Sequence, residues 1–353
     1  MKLIHTADLH LSEERPETIN AFETVLQTAN RKQADVVTIG GDIFDSPEDA
    51  TQLKTEMRSL CSNNPFDILA IPGNHDADIL SKPFDLGVDL QVLREDPCEV
   101  IQYDGVNLVG VPFRDELTTD LYSALQEARS ENAVNLLLLH CTLDIGFDTK
   151  ETGAEQVSRY FPVDPATLGE LDYDFVLAGH FHSYSPTDLQ YGGLFLYPGS
   201  PISHTKREEG PRQVGVIDTE TGASKPHKLD TVYYDSLTET VTPENQESMP
   251  SKVSDWVGER ADDECELEIS LSGFIDGDET DYNDRLRAAA GDVEISSAVE
   301  SISHVLDHEL YQRFSDQLDD SVVSAYDRAT VEGTRNHVRS ALARLIDTGE
   351  VRK

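Results

Sequence analysis

The chain has 353 residues, of which 67 are acidic and 28 basic, for a formal net charge of −39 with 38% hydrophobic residues. Its length suits one large domain with a smaller one, and its well-spaced apolar runs exclude the disorder that such acidity would otherwise signal. No apolar run approaches the roughly 18 residues of a membrane span, and the four cysteines, Cys61, Cys98, Cys141 and Cys265, are too scattered for a disulfide framework or a zinc knuckle. Met1 to Asp8 meets an acid before any signal-peptide core could form, so a soluble, cytoplasmic protein without a membrane partner is expected. The acidity reads as a solvated surface suited to a salt-rich cytoplasm. It weighs against a nucleic-acid substrate at low salt; at ~1 M salt the Debye length is only about 3 Å and short-range contacts decide.

In chain order, Lys2 to Asp8 reads as a strand, and Asp8 and His10, two apart, point to one side if the chain stays extended. Pro16 opens a helix whose apolar stripe is Ile19, Phe22, Leu26 and Ala29. Val36-Val37-Thr38-Ile39-Gly40-Gly41-Asp42 is a buried parallel strand stopping at an acid. A helix over about 47–61 and a strand over 67–72 complete a βαβαβ alternation, which implies a mainly parallel sheet with right-handed crossovers. Gly73-Asn74-His75-Asp76 follows. The runs 99–103 and 106–111 flank Asp104-Gly105, a hairpin signal that opens a second sheet. A helix over about 117–129 leads to the apolar strand 135–139 with His140 at its tip. Asp174 to His182 repeats that pattern, ending Gly179-His180-Phe181-His182. Leu194 to Tyr197, the loop Pro198-Gly199-Ser200-Pro201-Ile202 and a hairpin across Asp218 to Gly222 close the first domain near residue 235.

The polar stretch 236–253 reads as a linker. Beyond it, residues 254–305 read as a small α+β module, with strands over 265–271 and 293–305 around a helix over 282–290. Residues 306–353 read as a helical tail. Leu306, Leu310, Phe314 and Leu318 recur every four residues. A last helix from about Gly333 should carry Val338, Leu342, Leu345 and Ile346 inward and Arg335, Arg339 and Arg344 outward.

An acid after two glycines is by itself an ordinary turn residue. Here five strand ends present metal-ligand residue types: Asp8 and His10; Asp42; Asn74 and His75; His140; His180 and His182. Oxygen and imidazole donors without thiolate suit Mn²⁺, Fe or Zn²⁺. The donors are too many for one tetrahedral ion and about enough for two sharing a carboxylate. Two such ions can clamp the attacking and leaving oxygens of a displacement at phosphorus, with a hydroxide between them as nucleophile. Cys141, beside His140, reads as a small core residue, the alternative being a reactive thiol near a metal.

Asp8-Leu9-His10, Gly41-Asp42-Ile43-Phe44-Asp45, Gly73-Asn74-His75-Asp76, the lone His140 and Gly179-His180-Phe181-His182 resemble, in order and spacing, the motifs of the calcineurin-like metallophosphoesterase superfamily. The resemblance covers residues 1 to about 235. It implies an α/β fold, a two-sheet sandwich flanked by helices. It also implies that one metal takes Asp8, His10, Asp42 and His182 while the other takes Asp42, Asn74, His140 and His180. His75 would be the acid that protonates the leaving oxygen.

Gly41-Asp42-Ile43-Phe44-Asp45-Ser46 and Tyr197-Pro198-Gly199-Ser200-Pro201-Ile202 are similar to the SbcD-type double-strand-break repair nucleases, and the module after residue 253 resembles that family's capping domain. This narrower likeness implies two divalent ions, with Mn²⁺ the expected metal, DNA as substrate and an SMC-like ATPase of SbcC type as partner for the tail, and leaves room for a homodimer. Many relatives outside the SbcD branch carry histidine where this chain has Asp45, which is read equally as a catalytic auxiliary or as an acid that orients a ligand. Lys206, Arg207 and Arg212, just after the Gly-Ser-Pro loop, are candidates for DNA phosphate contacts. The expected function is a DNA exo- or endonuclease; the alternative is a phosphoesterase for small phosphodiesters, cyclic nucleotides or phosphoproteins.

Overall fold

The computed structural model describes residues 1–144, 160–261, 263–306, 308–317 and 328–347. Contacts divide the chain into one unit of Met1–Asp235 with Asp263–Glu266 and a second of Ser236–Asp262 with Leu267–Lys353. No helix among the described residues is long and apolar enough to cross a membrane.

The strands of the first unit are β1 (Lys2–Thr6), β2 (Val36–Ile39), β3 (Asp67–Ala70), β4 (Leu90–Val92), β5 (Glu99–Tyr103), β6 (Val106–Gly110), β7 (Val134–His140), β8 (Thr142–Leu143), β9 (Pro162–Val163), β10 (Phe175–Gly179), β11 (Ser185–Asp188), β12 (Leu194–Tyr197), β13 (Gln213–Asp218) and β14 (Ala223–Lys228). They form two six-stranded sheets, ordered β14-β13-β1-β2-β3-β4 and β11-β12-β10-β7-β6-β5, and a short β8-β9 ribbon. The inner strands are parallel, and β13, β14, β5 and β11 pair antiparallel at the margins.

Successive side chains of a strand face opposite sides, and both faces are buried here. Leu3, Val36 and Leu69 point between the sheets, where they meet Leu108, Leu136, Leu138 and Leu177. Their neighbours Ile4, Val37 and Ile68 pack outward against the helix 16–32, through Phe22, Val25 and Leu26. This two-sided burial is why these strands read as unbroken apolar runs. The register sets Thr6 beside Ile39 and Ile39 beside Ala70, and Gly179 beside His140. Parallel strands thus end level, and the residues following them emerge together.

Several short elements of the first unit, among them the strands β8, β9 and β11 and the helices Ala77–Leu80 and Pro165–Glu170, are absent from the sequence reading, and two further details differ from it. The helix expected over 47–61 is two, Pro47–Gln52 and Lys54–Leu60, because Leu53 leaves helical geometry at φ −84°, ψ 0°. β4 is absent from that reading, since its three residues are too few to show a period.

In the second unit, β15 (Tyr233–Val241), β16 (Cys265–Ile275) and β17 (Ile295–Ser301) make a three-stranded sheet in that order, with helices at Met249–Gly258 and Glu279–Ala290. The stretch 236–253 is therefore not a bare linker. Leu237 and Val241 lie four apart on one face of a strand, Met249 and Val253 one turn apart on a helix, and all four enter the core with Ile269, Leu271 and Leu286. Four apolar residues diluted among acids and threonines hide that pattern from composition. The strand expected over 293–305 stops at Ser301. Ser303–Leu306 turns helical instead, placing Ile302 and Val305 against Tyr311 and Leu342.

The tail contains helices Glu309–Gln317 and Arg328–Asp347. Arg339, expected to face outward, is buried. Its Nε donates to the Tyr311 hydroxyl at 2.8 Å and its Nη1 to Glu244 at 3.0 Å. A bidentate carboxylate and a phenol satisfy the guanidinium, which a helical-wheel argument cannot foresee. Leu345, expected inward, is exposed. Leu318 and the side chains of Arg344 and Ile346 lie outside what the structure describes, as do residues 319–327 and 348–353 of the expected tail.

Candidate metal centre

The strand ends of the two sheets meet at one place. Beyond β1 the chain turns at Asp8 and His10, with φ of 52° and 41°; beyond β2 it turns at Asp42, φ 49°; beyond β10 it turns at His180, φ 100°. Such positive φ is unfavourable for non-glycine residues and persists where surrounding structure over-determines it. Here the determinants are backbone bonds between the two loops: Asp8 N–H to Gly41 O and His10 N–H to Asp42 O, both 3.1 Å, and Leu11 N–H to Ile43 O, 2.9 Å. Close approach explains two glycines. A Cβ on Gly73 would sit 2.1 Å from Asp42 Oδ1, and one on Gly179 would sit 2.2 Å from Gly40 O, where the sheets touch backbone to backbone.

The first sheet contributes Asp8, His10, Asp42, Asn74 and His75; the second contributes His140, His180 and His182. Asp8, His10 and His182 form one group able to hold an ion, and Asp8, Asp42 and His140 form another, with ligand atoms inside each group within 4.8 Å of one another. Asp42 Oδ2 is 3.3 Å from His140 Nε2 and 3.9 Å from His10 Nε2. Asn74 Oδ1 is 2.9 Å from His140 Nε2. The His180 ring lies 5.4 Å, centroid to centroid, from that of His140, and its backbone N–H donates to both oxygens of Asp8 at 2.9 and 3.0 Å. His75 stands at the edge of the cluster, 4.7 Å ring to ring from His10. All eight predicted residues thus come together.

Each of three imidazoles is aimed by an acceptor on its Nδ1: His10 by Asp45 at 3.2 Å, His140 by the Gly40 carbonyl at 2.8 Å, and His182 by Glu208 at 3.1 Å. The proton is fixed on Nδ1, so the Nε2 lone pair faces the cluster, as a ligating histidine requires. Two observations test whether a cation fits. His10 Nε2 is buried without any hydrogen-bond partner, which costs free energy unless something else satisfies it. His140 Nε2 faces two oxygens, of Asn74 and Asp42, where a proton or a metal is needed to hold the three together. The residues fit divalent ions.

The electrostatics agree. Burial pushes the Asp8 carboxyl up, against the nearby His182 and His140. Burial would also raise Asp42, but the charge and hydrogen bond of His140, then the charges of His10 and His75, hold it well below the usual carboxylate range. His140 is correspondingly raised despite burial, chiefly by Asp42. Asp76 is pushed up to about 6, first by burial and then by the charge of Asp42. Buried acids that depend on protonated imidazoles will exchange those protons for a metal.

Several contributors escape the sequence reading. Asp76 accepts backbone N–H groups from Gly73 at 2.8 Å and Ile43 at 2.7 Å, tying two ligand loops together. It closes the Gly-Asn-His-Asp motif, so the signal for it is present. His204 packs its ring 4.9 Å from His10 and 5.3 Å from His182. Arg15, a pure donor, reaches its Nδ1 at 3.1 Å, so Nε2–H must donate to Asp8 O at 3.1 Å. No local pattern marks Arg15 or Glu208. Asp45 holds His10 by its carboxylate and His75 Nδ1 by its carbonyl, at 2.9 Å, so it acts here as an orienting residue.

Of the three rim cations, Lys206 and Arg207 are exposed. Arg212 is not available for phosphates: it is buried, and its guanidinium donates to the carbonyls of Ser200 at 3.1 Å, Glu208 at 3.3 Å and His182. A cation followed by a strand reads as surface, but this one satisfies inward-facing carbonyls of the loop.

The profile of the calcineurin-like phosphoesterase family matches residues 1–184. The SbcD protein of the SbcCD nuclease of Staphylococcus epidermidis is 26% identical over 251 residues, covering 58% of this chain and 64% of that one. The DNA double-strand break repair protein Mre11 of Saccharolobus solfataricus is 25% identical over 238 residues, covering 61% and 58%. The chain thus spans about six-tenths of the length of these curated relatives. Among solved structures, a dimetal phosphatase from Danio rerio superposes with a TM-score of 0.41 at 11% identity, covering 61% of this chain and 91% of that one. The family profile takes in more than half of the chain and contains Asp8, His10, Asp42, Asn74, His75, His140, His180 and His182, the residues that the two sheets bring together; the chain belongs to the calcineurin-like phosphoesterase family.

Proposed function

We propose that the chain is a metal-dependent phosphodiesterase whose substrate is DNA, cut as an exo- or endonuclease of the SbcD kind. The observation that carries the hydrolytic reading is the unpartnered, buried Nε2 of His10 facing Asp42 across from His140. In this reading Asp8, His10, Asp42 and His182 hold one ion, and Asp42, Asn74, His140 and His180 the other. Two bound divalent cations supply Lewis acidity and acidify water at neutral pH; Mn²⁺ suits the mixed oxygen and imidazole donors.

The chain's own residues do the rest. His75 Nδ1–H is fixed on the Asp45 carbonyl, so Nε2 is the atom at which a proton is gained and lost. It delivers that proton to the departing oxygen of the sugar. Asp76 and Asp45 keep the loops carrying Asp42 and His75 in register.

The DNA assignment is supported by the names of the two relatives, a nuclease subunit and a DNA double-strand break repair protein; the SMC-like ATPase that the motif resemblance implies is the partner we assign to the tail. None of the four cysteines, all among the described residues, is joined in a disulfide, in keeping with a reducing cytoplasm. The acidity, −39 overall, would suit a salt-rich one. One observation favours a second reading, a phosphoesterase for small diesters: with Arg212 buried, only Lys206 and Arg207 of the expected phosphate contacts remain at the surface. Hydrolysis of linear duplex DNA, single-stranded DNA, bis-p-nitrophenyl phosphate and cyclic AMP, compared with Mn²⁺ across a salt series up to molar KCl, decides between them. Turnover of the small diesters with inert DNA at every salt concentration would overturn the nuclease.

A further inference from the structure

Two opposite charges lie buried beside the centre without belonging to any ligand group. The Glu208 side chain is fully buried, and Arg212 is only 5% exposed. An unpaired charge at such depth is costly, so each needs strong partners. Their partners converge on one residue. Glu208 Oε1 accepts His182 Nδ1–H at 3.1 Å, while Arg212 Nη2 donates to the His182 backbone carbonyl. The ring and the main chain of the same histidine are thus gripped from two sides.

The rest of the network fixes the grip. The second Glu208 oxygen accepts the His204 N–H at 2.9 Å, and Thr205 Oγ1 donates to the first at 3.2 Å. Arg212 Nε donates to Ser200 O at 3.1 Å and Nη1 to Glu208 O at 3.3 Å. The loop 198–212 therefore wraps around two buried charges and closes on His182. By contrast, Asp45, which plays the corresponding role for His10, is 53% exposed. A carboxylate in water orients an imidazole weakly; one excluded from water does so strongly.

We infer that Glu208 and Arg212 form a clamp that positions His182 and thereby sets the affinity of one of the two ion sites. The inference rests on the proposed metal centre. Neither clamp residue touches the ion or the substrate, and both are positioning residues.

The test is a Mn²⁺ titration of the full chain, followed by calorimetry and by the paramagnetic resonance signal of free Mn²⁺. The wild type is expected to take up two ions. Glu208→Ala should weaken one site by roughly 10–100-fold, the usual cost of losing a partner behind a ligating histidine, and leave the other unchanged. Glu208→Gln, whose amide oxygen still accepts from His182 Nδ1, should recover most of the affinity. If Glu208→Ala does not melt cooperatively in chelator, Glu208→Asp, which withdraws the carboxylate by one methylene, takes its place with the same one-site weakening expected. A folded variant with both binding constants unchanged, or both weakened alike, overturns the clamp. A lowered melting temperature in chelator with unchanged constants also overturns it, by showing that the network only holds the loop. A wild-type chain that takes up no ion overturns the metal centre itself, and the clamp with it.

Discussion

The two sheets build their halves of the centre by different means. The first supplies both candidate carboxylate ligands, Asp8 and Asp42, on loops bent to positive φ. The second supplies only imidazoles, from His140, His180 and His182, the first aimed by Gly40 and the last by Glu208. The negative charge comes from one half alone, whereas positive φ, at His180 as at Asp8 and Asp42, and imidazoles aimed from behind, His10 by Asp45 as His182 by Glu208, occur in both. Charge determines whether a divalent cation binds at all, and orientation determines how tightly, so damage to the first half should cost more.

The largest break in that asymmetry is Asp42→Ala. It removes the carboxylate that faces both His10 and His140. Metal analysis should find fewer than two ions per chain, and hydrolysis of every diester should fall by about 10³-fold or more, since several kcal/mol of charge stabilisation is lost at roughly 1.4 kcal/mol per decade. Two ions and normal turnover in the variant would remove Asp42 from the shared position.

His75→Ala sharpens the comparison, because His75 sits on the charged half without being assigned a metal. Metal content should stay at the wild-type value. Turnover should drop by roughly 10²–10⁴-fold on DNA, whose sugar oxygen leaves poorly, and much less on bis-p-nitrophenyl phosphate, whose phenolate leaves unaided. Equal losses on both substrates would exclude the role of acid.

What could be read before folding follows the same division. Ligands at strand tips are legible because a buried parallel strand is an unbroken apolar run, and a polar residue closing it is conspicuous; Asp42 after Val36 to Ile39 and His140 after Leu136 to Leu139 show this plainly. Residues that act from behind are not legible. Glu208 lies 26 residues from the histidine it orients, and Arg212 among surface-like neighbours. The same holds for Arg339, whose burial depends on Glu244, 95 residues away. In the second unit the core residues Leu237, Val241, Met249 and Val253 are too diluted by polar neighbours to announce a strand and a helix. Local pattern reveals which atoms face a site, whereas long-range pairing decides what holds them there.

The seam between the halves can be probed by pH. His5, buried on β1, donates Nε2–H to Ala178 O at 3.2 Å in the opposite sheet and accepts from Thr38 Oγ1 at 3.0 Å. Burial lowers its pKa to about 4, opposed by hydrogen bonding to the backbone of Ala178 and of Thr38. The unfolded chain binds the proton at about 6.5 and the folded one does not until about 4, so this contribution to stability is fully present above 6.5 and is lost as pH falls toward 4. Unfolding free energy should fall by roughly 2 kcal/mol from this group between pH 7 and pH 5. Chemical denaturation at the two pH values, compared with His5→Asn, measures it; an equal pH dependence in both proteins would show that His5 does not carry the effect.

The smallest expected effect lies outside both halves. Arg207 is exposed and directly precedes Glu208, whose carboxylate holds His182. If the rim guides a DNA strand toward the centre, Arg207→Glu should spare bis-p-nitrophenyl phosphate, which needs no guidance. DNA cleavage should fall by roughly an order of magnitude at low salt, and the log–log dependence on salt should flatten by ~1, the signature of one lost phosphate contact. The penalty should vanish toward molar salt, where screening reaches a few Å. That fading distinguishes a steering charge from a disturbed ligand, because a change transmitted through Glu208 to His182 would persist at every ionic strength and would slow the small diester as well. A loss on DNA that ignores salt would therefore move Arg207 out of the nucleic-acid path and into the supporting structure of the centre.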